Sequence, residues 1–143
     1  MTEFTGFKYE DLEIGQSHET VHEITADDIQ RFAEVSGDFN PLHMSDEYAA
    51  TTMFEKRIAH GALTASYIST VIGTKMPGPG CIYVGQNLKF KAPVKAGDTV
   101  VARVTIMETF PDKNFVKLQT QCLVGEKVVL DGDATIMVPS RKS

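Results

Sequence analysis

Cysteines, basic residues and long hydrophobic runs are all scarce in this chain of 143 residues. The two cysteines, Cys81 and Cys122, lie in apolar segments without metal-ligand spacing, which predicts reduced structural thiols rather than a disulfide framework. Lysine and arginine total 14 against 19 acidic residues, and the formal net charge of −5 gives no support to nucleic-acid binding. These two scarcities exclude a disulfide-rich scaffold and disfavour a nucleic-acid partner.

Membrane and targeting signals are also missing from the sequence. No apolar run reaches the length of a transmembrane helix, and residues 1–12 have neither the basic nor the apolar region of a secretory signal. Repeats, linkers and low-complexity tracts are missing too, while apolar residues make up 42% and charged residues 23%. We therefore expect one cytoplasmic globular domain over residues 1–143, without a membrane partner.

The periodicity of the apolar residues predicts an α+β fold. One weak strand at 16–24 is followed by helices at 26–36, 46–51 and about 61–73, and then by strands at 82–91, 99–109, 115–124 and 127–138. The third helix carries apolar or small residues on almost every side, so we expect it to be buried. An antiparallel sheet wrapped around this long central helix satisfies the pattern.

Residues 35–45, which read VSGDFNPLHMS, contain the chemistry that the chain offers most plainly. Gly37 ends a helical run, and Asn40-Pro41 indicates a stiff turn that separates Asp38 from His43. A carboxylate and an imidazole on a stiff loop can hold one water molecule from two sides, as general acid–base catalysis requires. An isolated pair at this spacing more often forms a helix cap and a satisfied half-buried histidine.

Three blocks of sequence make the catalytic interpretation stronger. Residues 32–46, FAEVSGDFNPLHMSD, resemble the signature S-G-D-x-N-P-[LIV]-H-x-[DS] of the MaoC-like (R)-specific enoyl-CoA hydratases. Residues 54–63, FEKRIAHGAL, are similar to the second block of that family, and residues 82–94 followed by Gly97-Asp98 are similar to the third. The sequence departs from the common pattern at Lys56-Arg57, where relatives have Arg-Pro.

The resemblance implies a hotdog fold in a single MaoC-like domain. It implies a lyase that adds water reversibly, with syn geometry, to trans-2-enoyl-CoA and yields (3R)-hydroxyacyl-CoA for fatty-acid β-oxidation or polyhydroxyalkanoate precursor supply. Coenzyme A belongs to the substrate, so no separate cofactor and no metal are expected. A homodimer or larger even-numbered oligomer is implied, in which residues 82–91 pair with their copies across a two-fold axis and remove an exposed edge.

The resemblance also assigns roles to individual residues. Asp38 and His43 would hold the water, and the backbone N–H of Gly61 would stabilise the oxyanion that forms on the thioester. Substrate binding falls to Asn40, Ser69 and Ile72. Asn40 would orient the loop rather than carry a proton, and ordinary core packing is the alternative role for Ser69 and Ile72. The role of His60 stays open between packing and substrate contact. Candidate cations for the coenzyme A phosphates are Lys56, Arg57, Lys89 and Lys91.

Alternative functions on the same fold differ in whether they need the loop at residues 37–43 and in whether the acyl group is carried by coenzyme A or by acyl-carrier protein. A 3-hydroxyacyl-[acyl-carrier-protein] dehydratase runs the same chemistry in reverse and differs only in its carrier. A thioesterase has no need of the G-D-x-N-P-x-H loop. A non-catalytic acyl-CoA-binding domain would be expected to lose Asp38 or His43, and the chain has both.

Overall fold

The computed structural model describes residues 5–142, so the ends of the predicted domain, residues 1–4 and 143, lie outside the described residues. Four α-helices and five β-strands follow a 3-10 turn at Tyr9–Asp11. The helices are α1 (Ala26–Ser36), α2 (Pro41–Met44), α3 (Asp46–Ala50) and α4 (Gly61–Thr74). The strands are β1 (Ser17–Glu23), β2 (Ile82–Phe90), β3 (Thr99–Phe110), β4 (Phe115–Val124) and β5 (Lys127–Met137). The predicted strands and helices are confirmed, whereas α2 was not predicted.

The five strands form one antiparallel sheet in the order β1-β3-β4-β5-β2. Alternate residues of β3, among them Val100, Val104 and Ile106, are buried against the side of the sheet on which α4 packs. From α4, the side chains of Ile68 and Ile72 enter the same core. Strand alternation and helix periodicity therefore meet in a single apolar layer, which confirms the α+β architecture and the hotdog arrangement.

The sheet covers only one side of α4 in the single chain. Leu63, Ile68 and Val71 are buried, whereas the small residues Ala62 and Ser69 are exposed on the other side. The prediction that this helix is enclosed all round is therefore wrong for the isolated chain. The physical reason is that one sheet packs against a single side of α4, so a face of small residues remains uncovered.

Strands β1 and β2 are the two edges of the sheet. At the edge formed by β2, three consecutive apolar side chains are exposed: Ile82 by 53%, Tyr83 by 41% and Val84 by 51%. A strand edge with free backbone groups and exposed apolar side chains on both faces is a surface that favours pairing with another strand.

None of the helices within residues 5–142 has the length and hydrophobicity that crossing a bilayer requires.

Candidate active site

Helix α1 delivers the loop that carries Asp38. Its start is fixed by a capping box in which the hydroxyl of Thr25 accepts the N–H of Asp28 and the Asp28 carboxylate accepts the N–H of Thr25, both at 3.0 Å. The bond from the Thr25 backbone holds the pKa of the Asp28 carboxyl below its usual value. Helix α1 ends at Gly37, whose φ of 79° lies in the left-handed region that glycine adopts without strain.

The short turn after Asp38 is held by its own side chains. The N–H of Asn40 donates to Asp38 Oδ1 at 3.1 Å, and the N–H of Leu42 donates to Asn40 Oδ1 at 3.0 Å. Asn40 is thus the N-cap of α2, with Pro41 at the first helical position. An Asn cap before a proline is a signal of a helix start, and here it marks α2 within the segment that the turn residues predict to be a stiff loop. The amide oxygen of Asn40 therefore bonds to the backbone of its own turn.

His43 lies on α2 and is buried, with 9% of its surface exposed. Its Nδ1 lies 2.8 Å from the carbonyl oxygen of Ile58. A carbonyl only accepts hydrogen bonds, so Nδ1 carries the proton, and in the neutral ring Nε2 has the lone pair. The Nε2 atom of His43 is therefore able to accept a proton.

Asp38 and His43 come together as the sequence predicted. Asp38, His43 and His60 each offer one carboxylate oxygen or ring nitrogen, and these atoms lie within 4.8 Å of one another. Two hydrogen bonds of about 2.8 Å that meet at a tetrahedral water span about 4.6 Å between the two acceptors. An upper limit of 4.8 Å is compatible with one water molecule bridging the pair, and Asp38 is exposed to solvent.

A cavity of about 480 Å³ has His43 in its wall, whereas Asp38 is not among the residues that line it. Its walls come from α2, the loop before α4, the start of α4 and the segment around the end of β2, and they are mainly apolar. They include His43, Met53, Phe54, Ile58, Gly61, Thr64, Phe90, Lys91, Val94 and Val129. This volume is typical of pockets that hold small organic ligands. Most of these wall residues were not predicted, because they are distant in sequence and meet only in the folded chain.

Gly61 is the first residue of α4 and lines the cavity. The N–H groups of the first turn of a helix have no acceptor within the helix and lie at the positive end of its dipole. The predicted oxyanion donor thus shares a cavity with His43. A second reason for glycine is also visible: a Cβ atom at this position would lie 2.8 Å from Cε1 of Phe90.

The other predicted substrate-binding residues lie elsewhere. Ser69 is exposed on α4, and Ile72 is 1% exposed in the core. Neither residue is among those that line the cavity. Of the candidate cations, Lys91 is in the cavity wall. Arg57 makes an ion pair with Asp46 at 2.9 Å.

His60, whose role the sequence left open, is buried behind the pair. Its Nε2 atom lies 2.9 Å from the main-chain oxygen of Asp38, and its ring stacks on that of His43 with centroids 4.1 Å apart and planes inclined by 31°. Each imidazole uses one ring nitrogen in a hydrogen bond to a main-chain carbonyl, His43 to Ile58 and His60 to Asp38. The expectation of no metal stays a prediction.

The two cysteines offer no competing nucleophile. Both are free, and Cys122 is fully buried on β4. Burial raises the pKa of the Cys122 thiol to about 12 and also raises that of Cys81. Thiols of this kind stay protonated and unreactive near neutral pH.

The chain is similar to known proteins in both sequence and fold. Residues 11–129 match the family described as the MaoC like domain. The chain is 53% identical to the (R)-specific enoyl-CoA hydratase of Rhodospirillum rubrum over 133 residues, which is 93% of this chain and 92% of that protein. It is 46% identical to the 3-hydroxybutyryl-CoA dehydratase of Methylorubrum extorquens over 94% of this chain and 85% of that one. The solved R-hydratase PhaJ1 from Pseudomonas aeruginosa superposes with a TM-score of 0.89 at 46% identity, covering 95% of this chain and 88% of that chain.

Proposed function

The chain belongs to the MaoC-like domain family, and from this membership we propose that it is an (R)-specific enoyl-CoA hydratase. The reaction is the reversible syn addition of water to trans-2-enoyl-CoA, which gives (3R)-hydroxyacyl-CoA. The observation that carries the proposal is the pairing of Asp38 with His43, within 4.8 Å, at a cavity that also contains the start of α4. Two close relatives whose names specify coenzyme A thioesters support the choice of carrier.

The first step of the proposed mechanism is polarisation of the thioester. The enoyl group enters the apolar cavity, and its carbonyl oxygen accepts a hydrogen bond from the N–H of Gly61. As negative charge develops on that oxygen, the bond and the positive end of the α4 dipole stabilise it. C3 of the enoyl group then becomes electron-poor enough for water to attack.

The second step uses the water between Asp38 and His43. The Asp38 carboxylate and the His43 Nε2 lone pair each accept one hydrogen of the water, which leaves its oxygen lone pairs directed at C3. One of the pair takes a proton as the C3–O bond forms, and the pair returns a proton to C2 as the enolate collapses. Hydroxyl and hydrogen come from the same side, so the addition is syn.

Turnover of crotonyl-CoA tests the proposed function. Purified protein should remove the absorbance of the conjugated enoyl thioester, and chromatography on a chiral phase should identify the product as the (3R)-3-hydroxybutyryl thioester. Crotonyl-acyl-carrier-protein is the matched substrate. A higher kcat/KM on that substrate would favour the acyl-carrier-protein dehydratase, and binding of both thioesters without turnover would favour an acyl-binding domain. Either outcome would contradict the hydratase assignment.

We also propose that the protein is a homodimer, or a larger even-numbered oligomer, assembled through β2. The support is the open edge of this strand with the exposed apolar side chains of Ile82, Tyr83 and Val84. Pairing two copies of β2 across a two-fold axis would join the sheets and satisfy the free backbone groups.

From the resemblance in sequence we also propose a cytoplasmic location and a role in β-oxidation or polyhydroxyalkanoate supply.

Replacing Val84 with lysine should break this assembly. We expect light scattering to show the wild type at twice the chain mass or an even multiple, and Val84→Lys shifted toward the monomer because a buried charge has no partner at the joined edge. Val21→Lys is the matched control, because Val21 is 62% exposed on β1 at the opposite edge. A wild-type monomer, or equal dissociation of both variants, would contradict assembly through β2.

A further inference from the structure

His60 occupies a position where packing alone does not call for histidine. The side chain is 1% exposed, and Nδ1 makes no hydrogen bond within residues 5–142. A buried polar atom without a partner costs free energy, and leucine would fill a similar volume without that cost. His60 is also the N-cap of α4, yet its side chain makes no capping bond to that helix. Neither packing nor helix capping therefore explains why histidine occupies this position.

The hydrogen bond that His60 does make points to that purpose. Its Nε2 donates to the main-chain carbonyl of Asp38 at 2.9 Å, across 22 residues of sequence. One face of the ring lies on His43, and Phe32 of α1 packs against the ring with centroids 4.9 Å apart. The imidazole thus packs against two rings, and its hydrogen bond fixes it to the backbone of the residue that carries the carboxylate.

The backbone of His60 completes the connection. The next residue is Gly61, whose N–H is the proposed oxyanion donor at the start of α4. One residue therefore touches all three groups of the proposed mechanism: it bonds to Asp38, stacks on His43 and is covalently joined to Gly61. During hydration the thioester oxygen and C3 must reach their partners at the same time, so the separation of these groups has to be fixed.

We propose that His60 is a positioning residue that ties the Asp38 loop to the N-terminus of α4 and so sets the distance between the water-holding pair and the oxyanion donor. This inference rests on the proposed hydration reaction. His60 itself exchanges no proton with the substrate. Its contribution is geometric, and misplacement by about 1 Å can cost about 10²-fold in rate.

Two substitutions at His60 separate positioning from packing. In His60→Leu the ring volume is largely kept but the donor is lost, so kcat on crotonyl-CoA should fall by about 10²-fold with a smaller change in KM. In His60→Gln the amide nitrogen can reach the place of Nε2, so most of the lost rate should return. Phe32→Leu is the control: it loosens the same packing, lowers the melting temperature, and leaves the bond to Asp38 and most of kcat in place.

A double mutant with Asp38→Asn tests whether His60 acts through Asp38. If it does, His60→Leu should cost little further rate once the carboxylate is gone, because both changes remove the same contribution. Undiminished loss in the Asp38→Asn background would assign His60 a purely structural role and overturn the inference. Equal loss of kcat in the leucine and glutamine variants would do the same.

Hydrogen exchange gives a readout that does not depend on turnover. Backbone amides in a peptide covering residues 37–44 should exchange faster in His60→Leu than in wild type, whereas His60→Gln should stay near wild type. If wild type has no hydratase activity, the proposed function fails, and this measurement still decides whether His60 holds the loop. Unchanged exchange in His60→Leu would overturn the positioning role even in an active enzyme.

Discussion

Asp38→Asn and His43→Asn should each lower kcat on crotonyl-CoA by about 10²–10⁴-fold, the range typical of general acid–base groups. Both changes keep the local structure. An asparagine oxygen at position 38 can still accept the N–H of Asn40, and an asparagine amide at position 43 can still donate to Ile58. His43→Ala should lose as much rate, with an added loss of stability because it empties a buried site. Steady-state kinetics together with thermal unfolding separates these effects.

The double variant Asp38→Asn/His43→Asn should be scarcely slower than the poorer single variant. In the proposed mechanism the two side chains act on one water, so removing either should remove most of what the pair contributes. Asp27→Asn makes the same charge change at an exposed ion pair with Arg31 and should keep full activity. Near-normal turnover in either single variant, or multiplicative losses in the double variant, would rule out a shared water.

Gly61→Pro should lower kcat by about 10²–10³-fold beyond Gly61→Ala, which is the typical effect of losing one oxyanion donor. Proline is well accepted at the first position of a helix. His60 already has φ −58° and ψ 134°, the extended conformation that a residue before proline requires. The backbone can therefore accept proline while the N–H is removed. Turnover and calorimetric binding of a saturated acyl-CoA should be measured on both variants.

The alanine variant is the control that the structure demands. Alanine and proline both introduce a Cβ that would lie 2.8 Å from Phe90, and because that contact is with the ring of an exposed side chain, the ring can move aside. Alanine keeps the N–H and proline lacks it, so the difference between them isolates the donor. If the two variants have equal kcat, Gly61 serves only the packing of Phe90 and the oxyanion donor lies elsewhere.

The elements that the sequence predicted well are those controlled by local patterns. Apolar periodicity predicted α1 and β3, and Gly37 predicted the end of α1. The pairing of Asp38 with His43 was also predicted, since only five positions separate them and Asn40-Pro41 constrains the turn. Short-range hydrogen bonding and steric preference are readable from neighbouring residues.

Tertiary structure alone decided the features that depend on distant segments. The cavity wall combines residues from α2, α4, β2 and β5, and no local pattern predicts which side chains of different elements will meet. The contact of Phe90 with Gly61 and the bond from His60 to Asp38 span 29 and 22 residues, so both became visible only after the chain had folded. The sequence by itself determined the strands, the other helices, the fold class and the proximity of Asp38 to His43, because neighbouring residues control these. The placement of the pair against the cavity and the helix start was decided by packing of the whole core, since that energy depends on shapes brought together from the entire chain.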